Sequence, residues 1–88
     1  MVNINGRTWR VVLVSPRHPM LIQPNGRLAV GACDDVLQTI YICNNLNNRY
    51  TKKILCHELT HAVMFSYSVK LTHEQEEMFA DLISDYGE

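Results

Sequence analysis

The sequence has no apolar run approaching the roughly 20 residues that a membrane-spanning helix requires, and its opening, MVNINGRTWR, lacks the apolar core of a secretory leader. It also has no excess of charge of either sign: 8 Lys and Arg stand against 9 Asp and Glu, a formal net charge of -1. A basic footprint able to capture nucleic acid or an anionic membrane is therefore absent, and neither is expected as a partner. An even set of cysteines is lacking: Cys33, Cys43 and Cys56 can neither all pair with one another nor form a CxxC motif. They read as ordinary semi-buried thiols of a reducing compartment rather than as a disulfide framework. A soluble, cytoplasmic chain is the expectation. Repeats, low-complexity tracts and linkers are missing too, and 88 residues are too few for two domains, so residues 1–88 are expected to form one. A chain this short has a thin core, which a bound metal would reinforce.

What is present falls into a β-rich first half and a helical second half. In VNINGRTWRVVLV, β-branched and aromatic residues flank Asn5-Gly6, a pair that accepts the positive φ of a two-residue hairpin turn. All three prolines sit in SPRHPMLIQPNG, where lost donors and fixed φ values allow a loop with at most one helical turn. LAVGAC and QTIYICNN lie on either side of Asp34-Asp35, and the alternation of Ile40 and Ile42 with Thr39 and Tyr41 predicts a second hairpin. From Asn48 to Ser66 there is neither Pro nor Gly, and Leu55, Leu59, Ala62 and Val63 fall on one arc of a helix. Thr72 opens the capping box THEQ, after which Met78, Phe79, Leu82, Ile83 and Tyr86 trace the apolar stripe of a second helix ending near Gly87. The predicted class is α+β: hairpins forming a small sheet, then two helices.

The chemistry concentrates in CHELTHAVMF, Cys56 to Phe65. His57 and His61 are four apart, so on a helix they share a face and can aim ring nitrogens at one point, where zinc is the expected ion. Glu58 lies about 100° further round the helix, beside that point, where a carboxylate can take a proton from a metal-acidified water. The pattern is HExxH, the zinc-peptidase motif. Shuffling this composition produces it roughly once in a hundred trials. The surrounding residues are apolar almost all round, as in a buried helix, so three polar side chains there need partners.

A catalytic zinc ordinarily has a third protein ligand. The extended histidine motif is absent, because Met64 occupies the position of its glycine and Tyr67 that of its third histidine. The acidic residues of the second helix remain: Glu74, Glu76, Glu77 and Asp81. Their spacing alone leaves Glu74, Glu76 and Glu77 open, and an acidic first turn also suits the helix dipole. His73 is a further, lone candidate.

HExxH followed on a separate helix by Glu-x-x-x-Asp, here Glu77-Met78-Phe79-Ala80-Asp81, resembles the gluzincin class of zinc peptidases. More narrowly, HELTHAVMFSY with EEMFADLISDYG is similar to the short phage-associated ImmA/IrrE-like metallopeptidases, or minigluzincins, over about Lys53 to Gly87. The resemblance implies a zincin-like domain that holds zinc with His57, His61 and Glu77. It implies that Asp81 orients a ligand histidine, that Glu58 is the general base, and that a peptide or protein is the substrate. It also suggests that the QTIYI strand runs along the cleft and pairs with an extended peptide. Larger gluzincins add a downstream tyrosine or histidine for the oxyanion; in this chain Tyr41, Tyr67, His73 and Tyr86 are unranked candidates. The rival expectation is a zinc-stabilised regulatory or binding protein of phage origin, weakly active or inactive, whose closed site would take a fourth ligand such as Cys56, Cys43 or His18.

Overall fold

A computed structural model of the chain describes the backbone of residues 1–86 and the side chains of residues 1–83. Four strands precede two helices: β1 (Val2–Ile4), β2 (Arg7–Val14), a 3-10 turn at Pro19–Leu21, β3 (Gly31–Asp34), β4 (Thr39–Cys43), α1 (Asn48–Ser66) and α2 (His73–Tyr86). This is the α+β arrangement that the sequence patterning predicts. Asn5 and Gly6 take φ of 50° and 81°, the conformation that matches a tight turn to the twist of its strands. At the second hairpin, Asp34 Oδ1 accepts from the N–H groups of Val36 and Leu37, so the first residue of the polar pair, at the end of β3, builds the turn itself.

The strand order is β1-β2-β4-β3. β4 is antiparallel to β3 but parallel to β2, with Val11 opposite Ile40 and Leu13 opposite Ile42. Such a parallel pair requires a long crossover, here supplied by the proline-containing loop together with β3. The arrangement corrects one expectation. The resemblance suggests that the QTIYI strand runs along the cleft and pairs with an extended peptide, yet β4 lies between β2 and β3 with no edge open. Its burial accords with the placement: Thr39, Ile40, Ile42 and Cys43 are all buried, as in a strand covered on both faces and unlike the half-buried strand that the alternation predicts. The edge beside the helices is β3.

α1 starts at Asn47, whose side chain accepts from the Tyr50 N–H at 2.8 Å, and it packs across β3 and β4. Leu55, Leu59 and Ala62 join Trp9, Ile40 and Ile42 in the core, whereas Val63, on the edge of the predicted arc, is left exposed. The first hairpin fastens the other end of α1. Asn5 Nδ2 donates to Ser66 O at 2.9 Å, Arg7 Nη1 to Phe65 O at 3.2 Å and the Trp9 indole N–H to Ser66 Oγ at 2.8 Å. Those carbonyls belong to the last turn of the helix, where Val63, Met64 and Phe65 also accept from the N–H groups of Tyr67, Val69 and Ser68, so the hairpin adds to the cap that the chain itself provides. Arg7 also pairs with Asp35 at 2.7 Å, tying the two hairpins together.

α2 opens with the predicted capping box: Gln75 N–H donates to Thr72 Oγ1 and Thr72 N–H to Gln75 Oε1, both at 3.1 Å. Its orientation is unusual. Ala80 is fully buried, whereas Met78, Phe79, Leu82 and Ile83 are exposed, so the apolar stripe faces outward. The expected helix end at Gly87 and the side chain of Tyr86 lie outside the described residues. Among the described residues no helix is long and apolar enough to cross a membrane.

Replacing Ser66 by Ala leaves the buried Trp9 N–H without its acceptor. The expected loss is about 1–3 kcal/mol, read as a lower urea midpoint at unchanged m-value.

Candidate metal centre

His57 and His61 stand one turn apart on α1 and point at α2, which turns its acidic edge to meet them. His57 Nε2 lies 3.3 Å from His61 Nε2, His61 Nε2 lies 3.0 Å from Glu77 Oε1 and His57 Nε2 lies 3.4 Å from Glu77 Oε2. Bonds of 2.0–2.1 Å to a tetrahedral zinc separate its ligand atoms by about 3.3 Å. Two imidazole nitrogens and one carboxylate oxygen at these spacings therefore fit zinc both in chemistry and in size. Among the described residues these three form the one group of His, Cys, Asp and Glu close enough to share an ion.

The outer nitrogens of both histidines are also engaged. His57 Nδ1 lies 3.0 Å from Asp81 Oδ1, and His61 Nδ1 lies 2.5 Å from Glu76 Oε1. A carboxylate can only accept, so an Nδ1–H turned to it leaves the Nε2 lone pair for the centre; Glu76 is hydrogen-bonded to His61 in this way and Asp81 stands at ion-pair distance from His57. Glu76 thus stands behind His61 rather than beside Glu77, and Glu74 is exposed and belongs to no such group.

Glu58 is 7% exposed. Burial raises its carboxyl pKa above the usual range, Glu77 pushes the same way, and His61 and His57 oppose them. It borders two hollows that meet at the centre. The larger, about 490 Å³, runs along α1 past Tyr50 and Ile54 under Val30 and Gly31, and the smaller, about 220 Å³, lies among Cys33, Phe65 and His73. Together they form a cleft with Glu58, His61 and Glu77 at its middle and β3 along its side.

Gly31 makes this closeness feasible. A Cβ there would stand 2.6 Å from Ile54 Cγ2 and 3.2 Å from Glu58 Cγ, so only a glycine lets β3 close down on α1 at the Glu58 carboxylate. Sequence reading missed Gly31 and Tyr50 as cleft residues. For Gly31 a signal existed, since an isolated glycine in a strand marks close backbone approach. Tyr50 gave none.

The remaining candidates lie elsewhere. His18 caps the 3-10 turn through Nδ1 and stacks on Tyr41 at 5.3 Å. Cys43 donates to Asn45 Oδ1 at 2.6 Å, and neither it nor Cys56 joins the group of three. The expected fourth ligands are therefore not brought to the centre. Tyr67 is exposed and borders neither hollow, whereas His73 borders the smaller one. Compared with models of known protein families, with curated proteins and with solved structures, the chain matches none.

Two outcomes are expected. Glu76→Ala frees the His61 ring and weakens zinc binding about 10- to 100-fold, measured against a competing chelator, while Glu76→Gln loses less. Burial, assisted by Glu58, Asp35, Asp34 and Glu76, pushes the Cys33 thiol up to about 12. At pH 8 it then holds about a thousandfold less thiolate than an ordinary cysteine. Alkylation of Cys33 should accordingly be slow in the folded chain and fast in urea, as followed by mass spectrometry.

Proposed function

We propose that this chain is a zinc-dependent metallopeptidase of the gluzincin type, with His57, His61 and Glu77 as the metal ligands. The observation that carries the reading is the 3.0–3.4 Å triangle of His57, His61 and Glu77 donor atoms with a buried carboxylate, Glu58, beside it in a two-sided cleft. Zinc held there supplies Lewis acidity, which polarises a carbonyl and acidifies water. Glu58 accepts the proton of the water that attacks the peptide carbonyl and returns it to the departing amine. Its raised proton affinity suits both steps. Asp81 and Glu76 hold the two imidazoles in the tautomer that presents Nε2 inward.

The substrate on this reading is a peptide in extended form. β3 rather than β4 is the strand available to it, because β3 ends the sheet beside the cleft and an edge strand pairs with an added strand through backbone hydrogen bonds. The three free thiols suit a reducing compartment, and we take the cytoplasm as the site of action.

A rival reading, a zinc-stabilised binding protein of phage origin, draws on one observation. Neither Tyr41 nor Tyr67 borders the cleft, so of the oxyanion candidates named from the sequence His73 alone is found there among the described residues, with Tyr50 of the larger hollow as a donor the sequence did not suggest. Hydrolysis separates the two readings. Against a mixed peptide library, zinc-loaded parent should cleave, and Glu58→Gln should keep its zinc while losing about 10² to 10⁴ in rate. Equal rates in parent and variant would remove Glu58 from the mechanism. A zinc-loaded parent that cleaves nothing would decide for the binding protein.

A further inference from the structure

β2 runs for eight residues, but β1 pairs only with Arg7, Thr8 and Trp9. From Arg10 to Val14 its outer side meets no strand among the described residues. On the inner side, Arg10 N–H donates to Gln38 O and Val14 O accepts from Asn44 N–H, each at 2.9 Å. Arg10, Val12 and Val14 thus turn their backbone groups to β4, and by the alternation of a strand Val11 and Leu13 turn theirs outward. The side chains are unusual as well. Pairing with Ile40 and Ile42 places Val11 and Leu13 on the face that α1 covers, yet Val11 is 36% and Leu13 62% exposed, because α1 sits over β3 and β4. The run Val11-Val12-Leu13-Val14 contains no charge, proline or bulge, the devices that ordinarily keep an open edge from pairing.

We propose that this edge joins two copies of the chain across a two-fold axis, β2 against β2, antiparallel and centred on Val12. The argument for a second copy is self-complementarity. With Val12 on the axis, Val11 of each copy faces Leu13 of the other, and both residues present outward N–H and C=O groups. Each such pair exchanges two hydrogen bonds, and the axis repeats the exchange. A shift of one residue would set outward groups against inward ones. The length of the gap fits too: β1 closes one end at Trp9, and at the other the chain turns away at Ser15, whose carbonyl accepts from His18 N–H at 2.9 Å. The joined sheet runs β3-β4-β2-β2-β4-β3, with the exposed Val11 and Leu13 side chains gathered between the two α1 helices. Both β3 edges, and both clefts, stay open at its far ends. The pairing is independent of the metal and of any peptidase activity.

Light scattering combined with amide exchange tests the proposal. Parent protein should have twice the 10.1 kDa chain mass, and the Val11 and Leu13 amides, which turn away from β4 and meet no acceptor among the described residues, should exchange at least about tenfold more slowly than in a monomer. Leu13→Pro removes an outward N–H and leaves the ladder to β4 intact, while Leu13→Lys places a charge on the edge. Both should give the chain mass with the far-UV spectrum retained, and if Leu13→Pro fails to fold, Leu13→Lys decides. A parent of single chain mass at high micromolar concentration, with fast exchange at Val11 and Leu13, would overturn the proposal. So would a dimer that survives Leu13→Lys, since its contact would lie elsewhere, with the outward face of α2 next in line.

Discussion

The contact between the histidines of α1 and the carboxylates of α2 governs the second half of the fold. A helix normally packs through its apolar stripe, but α2 keeps Met78, Phe79 and Leu82 in solvent and approaches α1 with Glu76, Glu77 and Asp81. Apart from Ala80, little of α2 enters the interior. Its position is fixed by directional contacts of 2.5–3.4 Å to His57 and His61, which satisfy polar groups that would be costly to bury alone. This also explains why a thin-cored domain carries His, Glu and His inside an apolar helix. Two of those side chains organise the partner helix, and the third, Glu58, is held beside them at the cost of a raised pKa.

The rest of the molecule fixes α1 so that this contact can be specific. The first hairpin grips the C-terminal turn of α1 through Asn5, Arg7 and Trp9, and Asn47 caps its start. Between these ends, Ile40 and Ile42 of the central strand hold the helix against the sheet, while Gly31 lets the edge strand approach until its backbone meets Glu58. The cleft is therefore bounded by a strand and two helices whose spacing is set by a glycine on one side and by ion-pair geometry on the other. Such support, rather than the motif residues alone, keeps donor atoms at usable distances.

Local signals in the sequence were reliable where a short stretch determines its own structure. Asn5-Gly6, the Thr72–Gln75 capping box and the Pro- and Gly-free run from Asn48 to Ser66 each became the predicted turn, cap or helix. The i, i+4 spacing of His57 and His61 was legible for the same reason, since helix geometry alone aligns them. Non-local order was not legible. Nothing within QTIYI says that β2 will flank it in parallel, so its central place emerged only in the sheet. The acidic residues of α2 were ambiguous because spacing cannot decide which carboxylate faces which nitrogen. Glu77 was singled out by resemblance, and the contact of Glu76 with His61 became visible only with the helices docked. The stripe Met78, Phe79, Leu82 and Ile83 showed that a helix was there but not which way it faces, because polar contacts overrode the usual apolar packing.

Titration of zinc into metal-free protein by calorimetry, on the parent and on Glu77→Ala, addresses the central claim most directly. The account predicts one tightly bound zinc per parent chain and a large loss of affinity in the variant, with both chains folded beforehand. A folded parent that takes up no zinc, or a Glu77→Ala chain that binds it as tightly as the parent, would contradict the assignment of His57, His61 and Glu77 as a metal centre.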